Sequence, residues 1–182
     1  MIDNQREKML RDFNLLATTS RGNEREACDE LRFLLGEIGD STPDIERTGI
    51  SGLIAVKTAL NPFEIIEKFR GILAERPYEF RYTFRVIPIE KVVPTDLVEI
   101  ELVAAEFSSR MAKSETFRIT VEKRFSTTPT QSIIEAAASN IEQKVNLEKP
   151  DKILLIEVVG KLTGMSLIRP NEVLSALKEK TL

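Results

Sequence analysis

The run Lys152–Val159 (KILLIEVV) constrains the architecture more tightly than any other stretch of the chain. Six of its eight residues are aliphatic, and no period-two alternation leaves a face for water. It predicts a central strand covered on both sides. Residues 160–164, which begin and end in glycine, turn it into a hairpin with residues 165–168.

The N-terminal half alternates between strand and helix periods. Residues 14–20 form a buried strand closed by the turn at Ser20, Arg21 and Gly22. Asn23 is placed to cap a helix with Glu24 and Glu26 in its first turn and Ala27, Leu31, Leu34, Leu35 and Ile38 on its buried side. Residues 44–48 and 53–58 are two short strands about a glycine-bounded turn, and Asn61 with Pro62 starts a second helix bearing Ile65, Ile66, Phe69 and Leu73. From Tyr78 to Val86, Tyr78, Phe80, Tyr82 and Phe84 alternate with Glu79, Arg81, Thr83 and Arg85, predicting a strand whose aromatic side is buried. The order strand, helix, strand, strand, helix, strand is that of a ferredoxin-like lobe, expected over residues 1–93.

The second half, residues 94–182, opens with Thr95 as the cap of a helix running to Arg110. Phe117, Ile119 and Val121 then alternate with Arg118, Thr120 and Glu122 in a strand that ends in Lys123 and Arg124 before a loop over residues 125–129. A helix over 131–143 precedes the central hairpin, and Pro170 opens a last short helix with Val173, Leu174 and Leu177 inward. The expected class is therefore α+β, a ferredoxin-like lobe packed against an α/β domain.

Composition enters through what it excludes. The 182 residues contain no histidine, which removes the usual triads and the commonest metal ligand; no catalytic residue, metal site or cofactor is expected, with carboxylate-only chemistry left open. The single cysteine, Cys28, falls on the apolar side of a helix and reads as packing. A charged N-terminus and no long apolar run indicate a cytoplasmic protein with no membrane segment. A net charge of −3 requires any nucleic-acid affinity to come from a local cluster.

The string VNLEKPDKILLIEVVGKLTGMSLI, starting at Val145, resembles the most recognisable part of the THUMP domain, with FRITVEKR (Phe117 to Arg124) similar to the family's basic-ended strand. TTSRGNE and RVIPIE in the first lobe resemble stretches of archaeal stand-alone THUMP proteins and of the eukaryotic tRNA-acetylation adaptors. The resemblance implies binding to tRNA, through its acceptor end or overall shape, and presentation to a separate modification enzyme such as an RNA cytidine acetyltransferase. Other THUMP proteins carry a fused catalytic domain, and only 12 residues follow Pro170, so a non-catalytic adaptor is expected.

Lys123 and Arg124 beside Ser126, Thr127, Thr128 and Thr130 form the leading RNA-binding cluster, a set of cations and hydroxyls suited to phosphate and ribose. Arg118, Arg85, Arg21 and Lys144 are further candidates. Three have a plainer alternative: Arg118 as a solvated strand residue, Arg85 as a bridge between lobes through Glu90 or the acidic helix at Glu99 and Glu101, and Lys144 as surface charge. A protein-interaction scaffold that docks an acidic partner, without direct RNA binding, is the competing reading.

Overall fold

The computed structural model describes residues 11–180; the charged N-terminal segment over residues 1–10 lies outside them. The first lobe runs β1 (Leu15–Thr18), α1 (Glu24–Glu37), β2 (Asp44–Arg47), β3 (Leu53–Lys57), α2 (Pro62–Glu75) and β4 (Arg85–Pro88). There follow β5 (Lys91–Pro94), α3 (Leu97–Ser108), β6 (Thr116–Arg124), α4 (Thr130–Ala138), β7 (Lys144–Val145), β8 (Lys152–Val159), β9 (Leu162–Ile168), β10 (Leu174–Ser175) and α5 (Ala176–Glu179).

Two five-stranded sheets result, ordered β10-β4-β1-β3-β2 and β5-β9-β8-β6-β7. The first is antiparallel throughout, while in the second β6 runs parallel to both β7 and β8. Helices α1 and α2 seal one face of the first sheet through Leu31, Leu35, Ile66 and Phe69 against Leu15 and Ile54. Helices α3 and α4 seal one face of the second through Ile100, Phe107 and Ile133 against Leu154 and Ile156. The two remaining faces meet: Phe13, Leu16, Ile87 and Ile89 pack against Ile153, Leu155, Val159 and Ile168. The layers are thus helix, sheet, sheet, helix around three contiguous cores.

This arrangement explains the aliphatic run at β8. Leu154, Ile156 and Val158 face the helices, while Ile153, Leu155 and Val159 face the other sheet, so both sides of the strand are buried as its composition requires. The α+β class holds as expected. The hairpin is tighter than anticipated, with Val159 opposite Leu162 across a two-residue turn in which Gly160 adopts φ 61°. Gly164 lies inside β9 rather than in the turn. A Cβ there would stand 2.8 Å from Phe13 Cε2 and 3.0 Å from Ile89 Cγ2, so its missing side chain is what lets the two lobes close.

Several local expectations fail for identifiable reasons. The aromatic stretch forms no strand before Arg85: Pro77–Glu79 is a 3-10 turn and Tyr78 is exposed. The carboxylate of Glu30 on α1 takes the backbone N–H groups of Arg81, Tyr82 and Thr83 at 2.7, 3.1 and 2.6 Å, donors that a strand ladder would have needed. Asp96 rather than Thr95 caps α3, accepting from the Val98 and Glu99 N–H groups, because the Thr95 hydroxyl bonds the Gly160 carbonyl and the Thr163 hydroxyl. Asn23 makes no cap hydrogen bond and donates instead to the Ser20 hydroxyl. Helix α4 stops at Ala138, and the segment after Pro170 supplies β10, which returns to pair with β4 and leaves only one short turn of helix with Leu177 exposed. Asn61 does cap α2, accepting from Phe63 and Glu64 N–H, with Pro62 in the first turn.

Candidate nucleic-acid interface

Alternation along β6 sorts its charges. Phe117, Ile119 and Val121 point to the helices, so Lys123 shares that phase, whereas Arg118, Thr120, Glu122 and Arg124 point to the side on which the first lobe packs. The Lys123–Arg124 pair, contiguous in sequence, is therefore split between opposite faces of the strand. From the first lobe, Arg85 shares the phase of Ile87 and Ile89 and so faces the same seam. Arg85 and Arg124 both come near Glu157 although 39 residues of chain separate them, while Arg118 lies at the other end of β6.

Arg124 is already engaged. Its Nη1 donates to Glu157 Oε2 at 2.7 Å, and Glu157 is fully buried within the aliphatic run of β8. Burial pushes the Glu157 carboxyl above its ordinary range, against the Arg124 hydrogen bond and the nearby charges of Arg124 and Arg85, which pull it down. Its Oε1 has no hydrogen-bond partner among the described residues. Arg118 Nη1 donates to the Leu147 carbonyl at 2.9 Å, tying β6 to the loop that follows β7.

On the other face, the Lys123 ammonium donates to the Thr128 carbonyl at 2.8 Å while the Thr128 N–H donates to the Ser126 hydroxyl at 3.2 Å. The β6–α4 loop is thereby a closed, hydroxyl-rich turn with one exposed cation at its base. Lys144 opens the edge strand β7 and is exposed, not at the end of a helix. Arg21 is exposed in the turn after β1 and makes no ion pair among the described residues. Strand phase puts Arg85, Arg118 and Arg124 on the seam side of their strands, with Arg85 and Arg124 near Glu157 and Arg118 at the far end of β6, and leaves Lys123 with Thr128, Lys144, and Arg21 as separate sites.

The bridge anticipated for Arg85 belongs to another arginine. Arg110, at the end of α3, grips both oxygens of Glu90 at 2.6 and 3.0 Å, and Glu90 Oε1 also accepts the Leu167 N–H. Sequence offered only a weak signal for this pair, a cation just beyond a helix C-terminus. Cys28 is partly buried against the first core and burial raises its thiol pKa, as packing rather than nucleophilic use requires. Among the described residues no cluster of histidine, cysteine or carboxylate side chains could hold a metal ion, and no helix is long and apolar enough to cross a membrane.

No family model matches the chain, and no curated protein matches it. Solved structures do. PH1313 from Pyrococcus horikoshii Ot3 superposes with a TM-score of 0.61 at 17% identity, over 85% of this chain and 54% of that one. TrmN from Thermus thermophilus superposes at 0.53 and 15% identity, over 86% of this chain and 46% of that one. A 4-thiouridine synthetase solved with RNA and bound ATP superposes at 0.48 and 15% identity, over 87% and 42%. The chain thus spans about half the length of these proteins. At such identities the likeness establishes a shared fold, the THUMP-like α+β arrangement that the sequence resemblance implied.

One expectation is corrected by these findings. The chain was expected to be non-catalytic because it has no catalytic constellation and only 12 residues follow Pro170. The same fold makes up about half of longer chains such as PH1313 and TrmN, so the residues that follow it here do not decide whether a protein with this fold is an enzyme. The lack of a catalytic constellation in this fold does not separate its bearers from enzymes.

Proposed function

We propose that this chain is the tRNA-holding part of a tRNA-modification system, in which the two sheet-and-helix lobes read the shape and phosphates of tRNA and offer it to a catalytic centre. The observation that carries the reading is that Arg85 from one lobe and Arg118 and Arg124 from the other all take the seam-facing phase of their strands, in a chain whose overall charge of −3 gives no general affinity for polyanions. A fold shared with TrmN supports the link to modification, and the sequence resemblance to the acetylation adaptors makes an RNA cytidine acetyltransferase the partner to test first. Lys123, Lys144 and Arg21, exposed on other parts of the surface, supply further phosphate contacts on this reading.

Binding of unmodified tRNA measured across a salt series tests it. Log affinity is expected to fall by roughly 0.7 to 0.9 per unit of log salt for each phosphate contacted, and Lys123→Ala and Arg118→Ala are each expected to lower that slope by about one contact. tRNA stripped of its single-stranded 3′ end is expected to bind less tightly. No binding at low salt overturns the proposal and favours a protein-docking scaffold.

A further inference from the structure

We infer that Phe125 is a stacking platform for an unpaired base of the bound RNA; this rests on the tRNA reading above and names the part of the RNA that meets the β6–α4 loop. Two features that each disfavour folding coincide at this residue. The residue is 79% exposed, and its backbone sits at φ 52°, the left-handed region that no other non-glycine residue occupies among the described residues. Glycine would serve the same turn with neither penalty.

The loop that carries the ring is held on both sides. The Gly160 N–H donates to the Arg124 carbonyl at 2.8 Å just before it, and just after it Lys123 and Ser126 hold the two backbone groups of Thr128. A pinned backbone fixes where the ring is presented, so binding loses less conformational freedom there than on a free loop.

The neighbours of the ring select the ligand. Ser126, Thr127, Thr128 and Thr130 bring hydroxyls and Lys123 brings a cation, the chemistry that meets ribose and phosphate. Residues 126–129 contain no second large apolar side chain, so the apolar surface of the loop is one ring: enough for a nucleobase, and too little for the apolar centre of a protein interface. Bases inside an RNA duplex are inaccessible to such a ring, so the base must be unpaired.

The chain contains no tryptophan, so Phe125→Trp introduces a single fluorescent reporter at the platform. Titrated with unmodified tRNA, this variant is expected to bind within about three-fold of the parent and to show quenched emission at saturation. Phe125→Gly is expected to keep or raise the thermal midpoint, since strain is relieved, while losing roughly ten-fold in affinity. Unchanged affinity in Phe125→Gly, or emission indifferent to saturating tRNA, overturns the platform while leaving tRNA binding intact. Emission that responds to a partner enzyme and not to RNA overturns it in favour of a protein contact. Failure of the parent chain to bind tRNA overturns the functional reading itself, and the platform with it.

Discussion

Arg124 and Glu157 lie on neighbouring parallel strands and meet at 2.7 Å, an ion pair beside a seam of apolar side chains. The arginine side chain is 18% exposed and the glutamate fully buried, so the carboxylate depends on this partner for its charge. Removing one member of such a pair strands the other. Arg124→Ala is expected to destabilise the fold by about 3 to 5 kcal/mol in urea denaturation at neutral pH, and Arg124→Met combined with Glu157→Leu to recover most of that. Equal stability of Arg124→Ala and the parent would contradict it. The pair also makes Arg124→Ala a poor probe of RNA binding, since folding and binding would change together.

The same pair gives a pH dependence with a definite sign. Burial raises the folded-state pKa of Glu157, so the folded chain holds that proton more tightly than the unfolded chain. Its stabilising contribution is therefore complete below the ordinary carboxylate range and declines as pH rises through the raised value. Glu24, Glu37 and Asp151 work the other way: hydrogen bonds from the Gly52 backbone, from Arg76 and from the Thr116 backbone lower their pKa values, so their contributions are lost as pH falls. The stability of the parent minus that of Glu157→Gln, measured from about pH 4 upward, isolates the Glu157 part and is expected to decrease with pH. A flat or rising difference would refute the assignment.

Glu30 holds the residues between α2 and β4 by three backbone N–H groups. Truncation leaves those donors to water or to nothing. Glu30→Ala is expected to speed hydrogen exchange at Arg81, Tyr82 and Thr83 by at least ten-fold and to cost about 2 kcal/mol of stability. Protection that survives the substitution would show that packing of Phe80, rather than the carboxylate, shapes this segment.

Gly164→Ala places a methyl against Phe13 and Ile89 at the seam between lobes. Overpacking there is expected to cost about 1 to 3 kcal/mol in thermal or denaturant unfolding, with Phe13→Leu in the same chain giving back part of the loss by shortening the nearer obstacle. Strict additivity of the two substitutions would argue against a direct clash.

Much of the fold was legible in the sequence because short-range sterics and hydrophobic period act within a few residues. The aliphatic run at β8 announced burial on both sides, the alternation of Phe117, Ile119 and Val121 announced β6, and Asn61 with Pro62 announced the start of α2. The same local logic misread Tyr78 to Phe84, whose alternation matches a strand, because Glu30, about 50 residues earlier, takes the backbone donors. The candidate site was legible as a set of residue types and not as a place. That β6 would end in adjacent cations could be read directly; that Lys123 and Arg124 would part to opposite faces followed from period two once the strand was known.

Tertiary structure alone decided the partners. Arg124 finds Glu157 33 residues away, Arg110 rather than Arg85 finds Glu90, and β10 leaves the second lobe to complete the first sheet. Periodicity tells each side chain which way to face, but a charge is satisfied only by what strand register and sheet packing bring to within hydrogen-bond reach. That is a property of elements distant in the chain, and no local pattern encodes it.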